Sequence, residues 1–208
     1  MTTKSITSQG SQFRVATFGP ETHGDRHRLF FALMPDAGVR AQIASAAESL
    51  KKQHPVGRWI LPERYHLTLH FLGEDPELRP ERVGRAVAAA QAICVPAFEL
   101  CVDSAASFPG TKPPWTLRCS NPAHALHELW QALTAALVGD ASHRSPPSEF
   151  IPHITVLRDA DKALNPCAIE PFSWQVRDFA LIDSQIGRQA RYTELGRWSL
   201  APKKGSKP

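Results

Sequence analysis

The chain has 208 residues, of which 42% are hydrophobic and 21% are charged. This composition is ordinary for a soluble globular domain and excludes a chain that is disordered through most of its length. A formal net charge of +4 favours an anionic ligand but falls well short of a polybasic binder. No stretch approaches the roughly 20 apolar residues of a transmembrane helix. We therefore expect a cytoplasmic, monomeric protein with no membrane partner.

The two ends of the chain differ in composition from its middle. Residues 1–27 are polar and lack the apolar run of a secretory signal, and residues 201–208 are basic. We predict a flexible N-terminal extension over 1–27, one domain over 28–200 and a short basic tail over 201–208.

Cysteine spacing argues against a zinc or redox motif. The four cysteines are Cys94, Cys101, Cys119 and Cys167. They lie far apart and form no CxxC pair, so we expect free, buried thiols in a reducing compartment.

The first half of the domain alternates between strand and helix patterns. A compact apolar run over 28–34 predicts a buried central strand. Asp36 stands where a helix N-cap belongs, and the helical spacing that follows ends at His54. A second strand is predicted at 65–72 and a second helix at 80–93.

The second half adds more strands than helices. Strands at 98–108 and 115–119 are expected to pair as a hairpin, because a turn rich in proline and glycine joins them. The remaining predicted elements are a helix over 123–138, a Ser/Pro loop over 140–149 and strands over 150–157, 175–186 and 191–200. Strands and helices mix without the regular alternation of a doubly wound parallel sheet, so we predict an α+β fold with antiparallel sheets.

A short pattern, His-aliphatic-Thr-aliphatic, occurs twice. The first copy contains His66 and Thr68, and the second contains His153 and Thr155, 87 residues later. Because side chains alternate across a strand, each His shares a face with its Thr, while Leu67, Leu69 and Phe71 are expected to be buried on the opposite face of the first strand. An offset of about half the domain predicts two lobes of similar build that place both polar faces on one cleft.

Two imidazoles and two hydroxyls suit phosphodiester chemistry without a metal. One histidine can remove a proton from the nucleophile while the other donates a proton to the leaving oxygen, because imidazole titrates near pH 6.5. The threonine hydroxyls can donate hydrogen bonds to the phosphate oxygens. A single HxT pattern is a weak signal, since most strand histidines are structural, but two copies in equivalent halves are much harder to explain by packing.

The paired motifs resemble those of the two-histidine (2H) phosphoesterase superfamily, and within it the RNA 2′,3′-cyclic phosphodiesterases once named 2′-5′ RNA ligases. Three segments carry the likeness: RLFFAL at 28–33, HLTLHFLG at 66–73 and PHITVLR at 152–158. The resemblance implies a bilobal, pseudo-twofold fold, with antiparallel sheets flanked by helices and the active-site groove between the lobes. It also implies hydrolysis of RNA 2′,3′-cyclic phosphates to 2′-phosphates without a cofactor, His66 being the proton donor and His153 the proton acceptor.

Two further residues are candidates for substrate contacts. Arg158 would point away from His153 by strict alternation, so a phosphate-binding role requires the strand to end or bulge before it. Phe108 precedes the turn of the hairpin and either stacks on an RNA base or packs within the protein. Tyr65 and Trp115 carry the same two alternatives.

Three histidines are better explained by structure than by function. His70 shares a face with His66 by alternation, but four strand steps separate the two by about 13 Å, so we place it at the cleft edge or surface. His124 and His127 are three residues apart on a predicted helix, and no third ligand completes a metal site. We interpret them as part of a solvated helix face.

Two other functions stay open, and a third is disfavoured. The same groups would catalyse the reverse reaction, which joins RNA ends through a 2′-5′ linkage. An RNA-end binding module without turnover does not need two titrating groups. A metal-dependent phosphohydrolase would need clustered Asp and His ligands, which the sequence lacks.

Overall fold

The computed structural model describes residues 26–55, 57–137, 150–187 and 191–202. The predicted loop over 140–149, and most of the predicted extension and tail, lie outside these ranges. Within them the elements are, in chain order, β1 (Arg26–Leu33), α1 (Ala37–Gln53), β2 (Arg58–Trp59), a 3-10 turn (Pro62–Arg64), β3 (Leu67–Asp75), α2 (Pro80–Gln91), β4 (Phe98–Ser107), β5 (Trp115–Arg118), α3 (His124–Leu137), β6 (His153–Arg158), β7 (Cys167–Val176), β8 (Asp178–Ile186) and β9 (Arg191–Ser199).

The strands form a sheet whose order is β7-β4-β5-β6-β3-β1-β8-β9, with β2 added beside β6. The pairs of named strands are antiparallel, and β4 and β5 form the predicted hairpin. At the centre, β3 and β6 pair only through Leu67 and Ile154. The sheet therefore consists of two four-stranded halves that meet at one residue pair, which confirms the predicted antiparallel α+β fold with two lobes.

Amphipathic helices cover one face of the sheet. The carboxylate of Asp36 accepts a hydrogen bond from the Val39 amide at 2.9 Å and caps α1, which ends before His54 as predicted. The buried residues of α3 are four leucines at helical spacing: Leu126, Leu129, Leu133 and Leu137. They belong to a continuous core that also includes the inward side chains of both half-sheets. The opposite face of the sheet carries the polar side chains of the two HxT strands.

One predicted strand is in fact two. The segment predicted at 175–186 splits at Arg177 into the end of β7 and the whole of β8. Sequence patterns missed most of β7 because it is an edge strand, and the exposed side chains that dominate it give little hydrophobic signal. Pro171, near its middle, also weakens a strand pattern but is tolerated at a sheet edge.

The pairing of β1 with β3 contains two β-bulges, and these change which side chains face the helices. Phe31 pairs with His70 and Ala32 pairs with Thr68, so Leu69 is an extra residue in β3. As a result Leu69 and His70 are buried in succession, whereas Phe71 is 52% exposed on the opposite face. The expectation that Phe71 is buried, and that His70 lies on the face of His66, is wrong for this reason.

Two further observations concern the cysteines and the membrane. The four cysteines are unpaired, as expected, but Cys94, Cys101 and Cys167 are exposed, which corrects the expectation of buried thiols. Among the helices that the structure describes, none is long and apolar enough to cross a membrane.

Candidate active site

The two HxT segments meet at the centre of the sheet. An antiparallel register that pairs Leu67 with Ile154 places His66 beside Thr155 and Thr68 beside His153. The Leu67 and Ile154 side chains are buried on the helix side, so the histidines and threonines lie on the open face. The structure thus brings the four predicted polar side chains together, related by the approximate twofold axis that passes between the central pair.

A cavity of about 670 Å³ opens on this face. Among the residues that line it are His66, Thr68, Thr155 and Arg158. Its walls come from β1, β3, β6, β8 and β9, together with the segment around β2. This volume is in the range of sites that bind small ligands such as a nucleotide.

Both histidines are held in the same way. The Nδ1 atom of His66 lies 2.8 Å from the carbonyl oxygen of Arg64, and Nδ1 of His153 lies 2.8 Å from that of Ile151. A carbonyl oxygen only accepts hydrogen bonds, so Nδ1 carries the proton in both rings. Each Nε2 is then the nitrogen left for proton transfer: it accepts a proton from a neutral ring or donates one from a charged ring.

The surroundings disfavour the charged form of both imidazoles. Burial lowers the pKa of His66 to about 4, where Phe30 and Tyr192 pack against the ring at centroid distances of 5.0 and 5.6 Å. Burial also lowers the pKa of His153. The nearby Arg158 cation adds to both shifts, because a positive neighbour disfavours the imidazolium. Both rings are therefore neutral at pH 7 in the free site.

Arg158 reaches the cavity because β6 contains a bulge. Thr116 pairs with Thr155 and Trp115 pairs with Leu157, so Val156 is an extra residue. Val156 and Leu157 are consequently both buried, and the next side chain returns to the open face. The condition set by the sequence for a phosphate contact by Arg158 is met in the geometry.

Phe108 lies beside His153 rather than in the wall of the cavity. The two rings meet edge to face with centroids 4.8 Å apart. Arg118 is on β5, the strand next to β6, and its guanidinium carbon lies 4.5 Å from the centroid of the Phe108 ring. Base stacking by Phe108 stays a prediction.

The other candidates occupy structural positions. His70 is buried under α3, where its Nε2 donates to the Trp130 carbonyl at 3.0 Å and its ring stacks on the indole of Trp130. Tyr65 and Trp115 are 4% and 3% exposed, which makes them core residues.

Of the two histidines of α3, His124 is exposed and His127 is partly buried. His124 contacts Glu128 on its own helix at 3.2 Å, and His127 packs edge to face on Phe150. In the described part of the chain, no group of three or more His, Cys, Asp or Glu residues is arranged to hold a metal ion.

Sequence reasoning missed the arginines that surround the cavity. Arg28 donates to the carboxylate of Glu74 at 2.5 Å, and Arg58 donates to Asp159 at 2.9 and 3.0 Å. The guanidinium of Arg64 lies over the ring of Tyr192 at 4.5 Å. Only Arg28 carried a usable signal, since alternation along β1 puts it on the face of Phe30; the others depend on contacts between distant segments.

The chain is similar to proteins of one family along most of its length. The family model of the 2′-5′ RNA ligase superfamily matches residues 29–188. The RNA 2′,3′-cyclic phosphodiesterase of Escherichia coli K12 is 34% identical over 178 residues, which cover 83% of this chain and 96% of that protein. The enzyme of the same name from Thermus thermophilus is 30% identical over 190 residues, covering 86% and 92% of the two chains.

Solved structures agree with the sequence comparison. The crystal structure of E. coli LigT in its apo form has a TM-score of 0.68 and 32% identity, covering 85% of this chain and 99% of LigT. Protein TT0787 of T. thermophilus has a TM-score of 0.70 and 28% identity, with coverages of 85% and 99%. These matches confirm the family resemblance found in the sequence.

Proposed function

The chain belongs to the 2′-5′ RNA ligase superfamily, and from this premise we propose that it is an RNA 2′,3′-cyclic phosphodiesterase. The observation that carries the proposal is the approximately symmetric pair of HxT segments, which place the imidazoles of His66 and His153 on one open face, close to each other and to Arg158. Relatives at 34% and 30% identity bear the name of this activity.

The proposed reaction is an in-line displacement at phosphorus. His153 removes a proton from a water molecule, whose oxygen bonds to the phosphorus of the cyclic phosphate. The bond from phosphorus to the 3′-oxygen breaks, and His66 donates a proton to that oxygen. The product carries a 2′-phosphate and a 3′-hydroxyl.

The remaining polar groups would stabilise the transition state. Thr68 and Thr155 can donate hydrogen bonds to the non-bridging oxygens, and Arg158 supplies a positive charge at the same cavity. A bound phosphate anion also raises the pKa of His66, because a negative neighbour favours the imidazolium. This would allow a ring that is neutral in the free site to become the proton donor.

Aromatic side chains at the cavity would hold the nucleoside. Phe71 lines the cavity and is half exposed, as a stacking surface for a base requires. Phe108 stays a second candidate for base stacking, on the far side of His153. A 2′,3′-cyclic phosphate exists only on a ribose, so the chemistry itself limits the substrate to RNA ends or ribonucleotides.

The test is hydrolysis of nucleoside 2′,3′-cyclic phosphates by the pure protein, with identification of the product isomer. We expect the 2′-phosphate. His66→Ala and His153→Ala should each lower kcat by about 10² to 10⁴, the usual contribution of one acid or base. His124→Ala removes an exposed histidine and serves as the control. Near-normal turnover in either active-site variant would contradict the proposal.

Ligation through a 2′-5′ linkage is the second candidate, favoured by the description of the matching family. A catalyst accelerates both directions of a reaction, so the same groups would serve. Incubation of RNA ends that carry a cyclic phosphate with RNA carrying a 5′-hydroxyl, followed by product analysis, separates the two activities.

We also propose that the protein acts as a cytoplasmic monomer. In the described part of the chain, the large hydrophobic residues that are exposed are Leu61, Phe71 and Ile151. Three exposed side chains are too few for the broad apolar patch of a stable dimer. Size-exclusion chromatography with light scattering at micromolar concentration tests this.

A further inference from the structure

Arg118 is an unusual neighbour for a catalytic histidine. It is the last residue of β5, and its Cα is the cross-strand partner of His153. Its guanidinium lies over the ring of Phe108, which in turn contacts His153. We call Arg118 and Phe108 together the platform; it adjoins the reacting centre without belonging to the cavity wall.

The charge of Arg118 is not neutralised within the described part of the chain. Its Nε donates to the Thr116 hydroxyl at 2.9 Å, and no carboxylate of the described residues lies within ion-pair distance. Its Nη2 atom is buried and has no hydrogen-bond partner. Burial also lowers the pKa of the guanidinium, which records the cost of holding this cation away from water. A partly desolvated donor without a partner is an expensive feature unless an anion binds there.

The location of the platform identifies which part of a substrate can reach it. The cavity is lined by β1, β3, β8, β9, the segment around β2, and Thr155 and Arg158 of β6, whereas Arg118 lies on β5, on the other side of β6. A terminal ribonucleotide with its cyclic phosphate between the histidines carries its base on C1′ and the preceding chain on O5′. If the base enters the cavity, the preceding chain leaves the site in a different direction.

We propose that Arg118, supported by Phe108, binds the internucleotide phosphate that precedes the terminal nucleotide; this inference rests on the proposed function. The preferred substrate is then an RNA chain and not a single nucleotide. A guanidinium held against an aromatic ring loses part of its freedom before a ligand binds, and its planar fork of N–H groups matches the oxygens of a phosphate. The same arrangement is typical of sites for single-stranded RNA, which combine cations with aromatic surfaces.

The experiment compares two substrates that share the same terminal nucleoside 2′,3′-cyclic phosphate, one a mononucleotide and the other a dinucleotide. The readout is the ratio of their kcat/KM values, in which any effect of Arg118 on His153 cancels. We expect the unmodified enzyme to prefer the dinucleotide, and this preference to shrink between about 50 and 200 mM salt. Arg118→Met, which keeps the length and removes the charge, should reduce the ratio about tenfold or more, as loss of one charge-assisted hydrogen bond predicts.

Two further variants sharpen the comparison. Arg118→Lys retains the charge and should keep part of the preference. Arg177→Met removes an equal charge from an exposed position between β7 and β8 and should leave the ratio unchanged. Equal losses for both substrates in Arg118→Met would overturn the proposal, because Arg118 would then act only through His153. An unmodified enzyme without preference for the dinucleotide would also overturn it.

A binding measurement keeps this inference separate from the catalytic one. Calorimetric titration with a nucleoside 2′-phosphate and with a dinucleotide ending in a 2′-phosphate gives the same ratio from dissociation constants. A dinucleotide preference that Arg118→Met abolishes supports the platform even in a protein without turnover. Equal affinities of the two ligands would overturn the proposed phosphate site even in an active enzyme.

Discussion

His66 and His153 occupy equivalent positions in two strands, yet their neighbours differ. His66 packs between Phe30 and Tyr192, whereas His153 meets Phe108 and faces two cations, Arg118 and Arg158. Both environments lower the imidazole pKa, and that of His66 falls to about 4. The free enzyme therefore holds two neutral rings at pH 7, and in the proposed mechanism the donor gains its proton when the phosphate binds.

The lowered pKa values of the two histidines predict the pH dependence of kcat/KM, because kcat/KM reports the pKa values of the free enzyme. A lowered pKa of the acceptor moves the acidic limb to lower pH, because the ring becomes neutral earlier. A lowered pKa of the donor moves the alkaline limb to lower pH, because the ring loses its proton earlier. We expect a bell with its maximum below about pH 6.5, the ordinary imidazole value. The kcat profile should lie at higher pH, since the bound phosphate raises both pKa values.

Rate measurements between about pH 4 and 9 with a nucleoside 2′,3′-cyclic phosphate test this. The limbs need not belong to one residue each, because a charged His153 lowers the pKa of His66. In the residual activity, His153→Ala should remove the acidic limb and His66→Ala the alkaline limb; the opposite pairing would exchange their roles. A kcat/KM maximum above pH 7, or a flat profile, would contradict the assignment.

The residues at the centre of the site were predictable from the sequence because a repeat pointed to them. The HxT pattern identified His66, Thr68, His153 and Thr155 because two copies in equivalent halves are hard to explain by packing. Arg118 had no such signal. Its relation to His153 depends on the pairing of β5 with β6, which no local pattern encodes.

Most helices and strands were predicted, except β2 and most of β7, but the positions of the bulges were not. A strand pattern assumes a period of two, and one inserted residue reverses the facing of every later side chain. The insertion at Leu69 in β3 moved His70 inward and Phe71 outward. The insertion at Val156 in β6 turned Arg158 toward the cavity. Bulges depend on how two strands register against each other, and this information is absent from either strand alone.

The bulge in β3 gives His70 a structural role that can be measured. His70→Ala removes a buried hydrogen bond to the Trp130 carbonyl and a stacked ring, so the free energy of unfolding should fall by about 1 to 3 kcal/mol. Because His70 lies on the helix side, kcat/KM should stay within about threefold of the unmodified enzyme. Urea denaturation and steady-state kinetics measure the two effects. His124→Ala, exposed on the same helix that covers His70, is the control and should change neither. A tenfold loss of activity at unchanged stability would place His70 in the active site.

At the scale of the whole molecule, the repeat offset predicted two lobes, and the topology shows how they meet. Each half-sheet is held by extensive pairing of its own strands, while β3 and β6 share the single pair Leu67–Ile154. Sequence predicts that similar halves exist but not which strands become neighbours, since that depends on contacts distant along the chain. The relative position of the two histidines thus depends on this central pair together with the core that both half-sheets share beneath it.

This junction predicts that Ile154→Ala affects catalysis as well as stability. Ile154 is 1% exposed, and its truncation should lower the free energy of unfolding by about 2 to 5 kcal/mol. Leu129→Ala, in the fully buried core of α3, should cost a similar amount and is the matched control. At a temperature where both variants remain folded, kcat should fall only in Ile154→Ala. The cavity that this substitution leaves would let β3 and β6 shift, and a displacement of about 1 Å can cost 10²-fold in rate. Ile154→Val, which removes one methylene, should recover most of kcat.

Circular dichroism during urea titration gives the stabilities, and hydrolysis of a nucleoside 2′,3′-cyclic phosphate gives kcat. Equal losses of kcat in the two alanine variants, or none in either, would mean that the alignment of the histidines does not depend on the central pair.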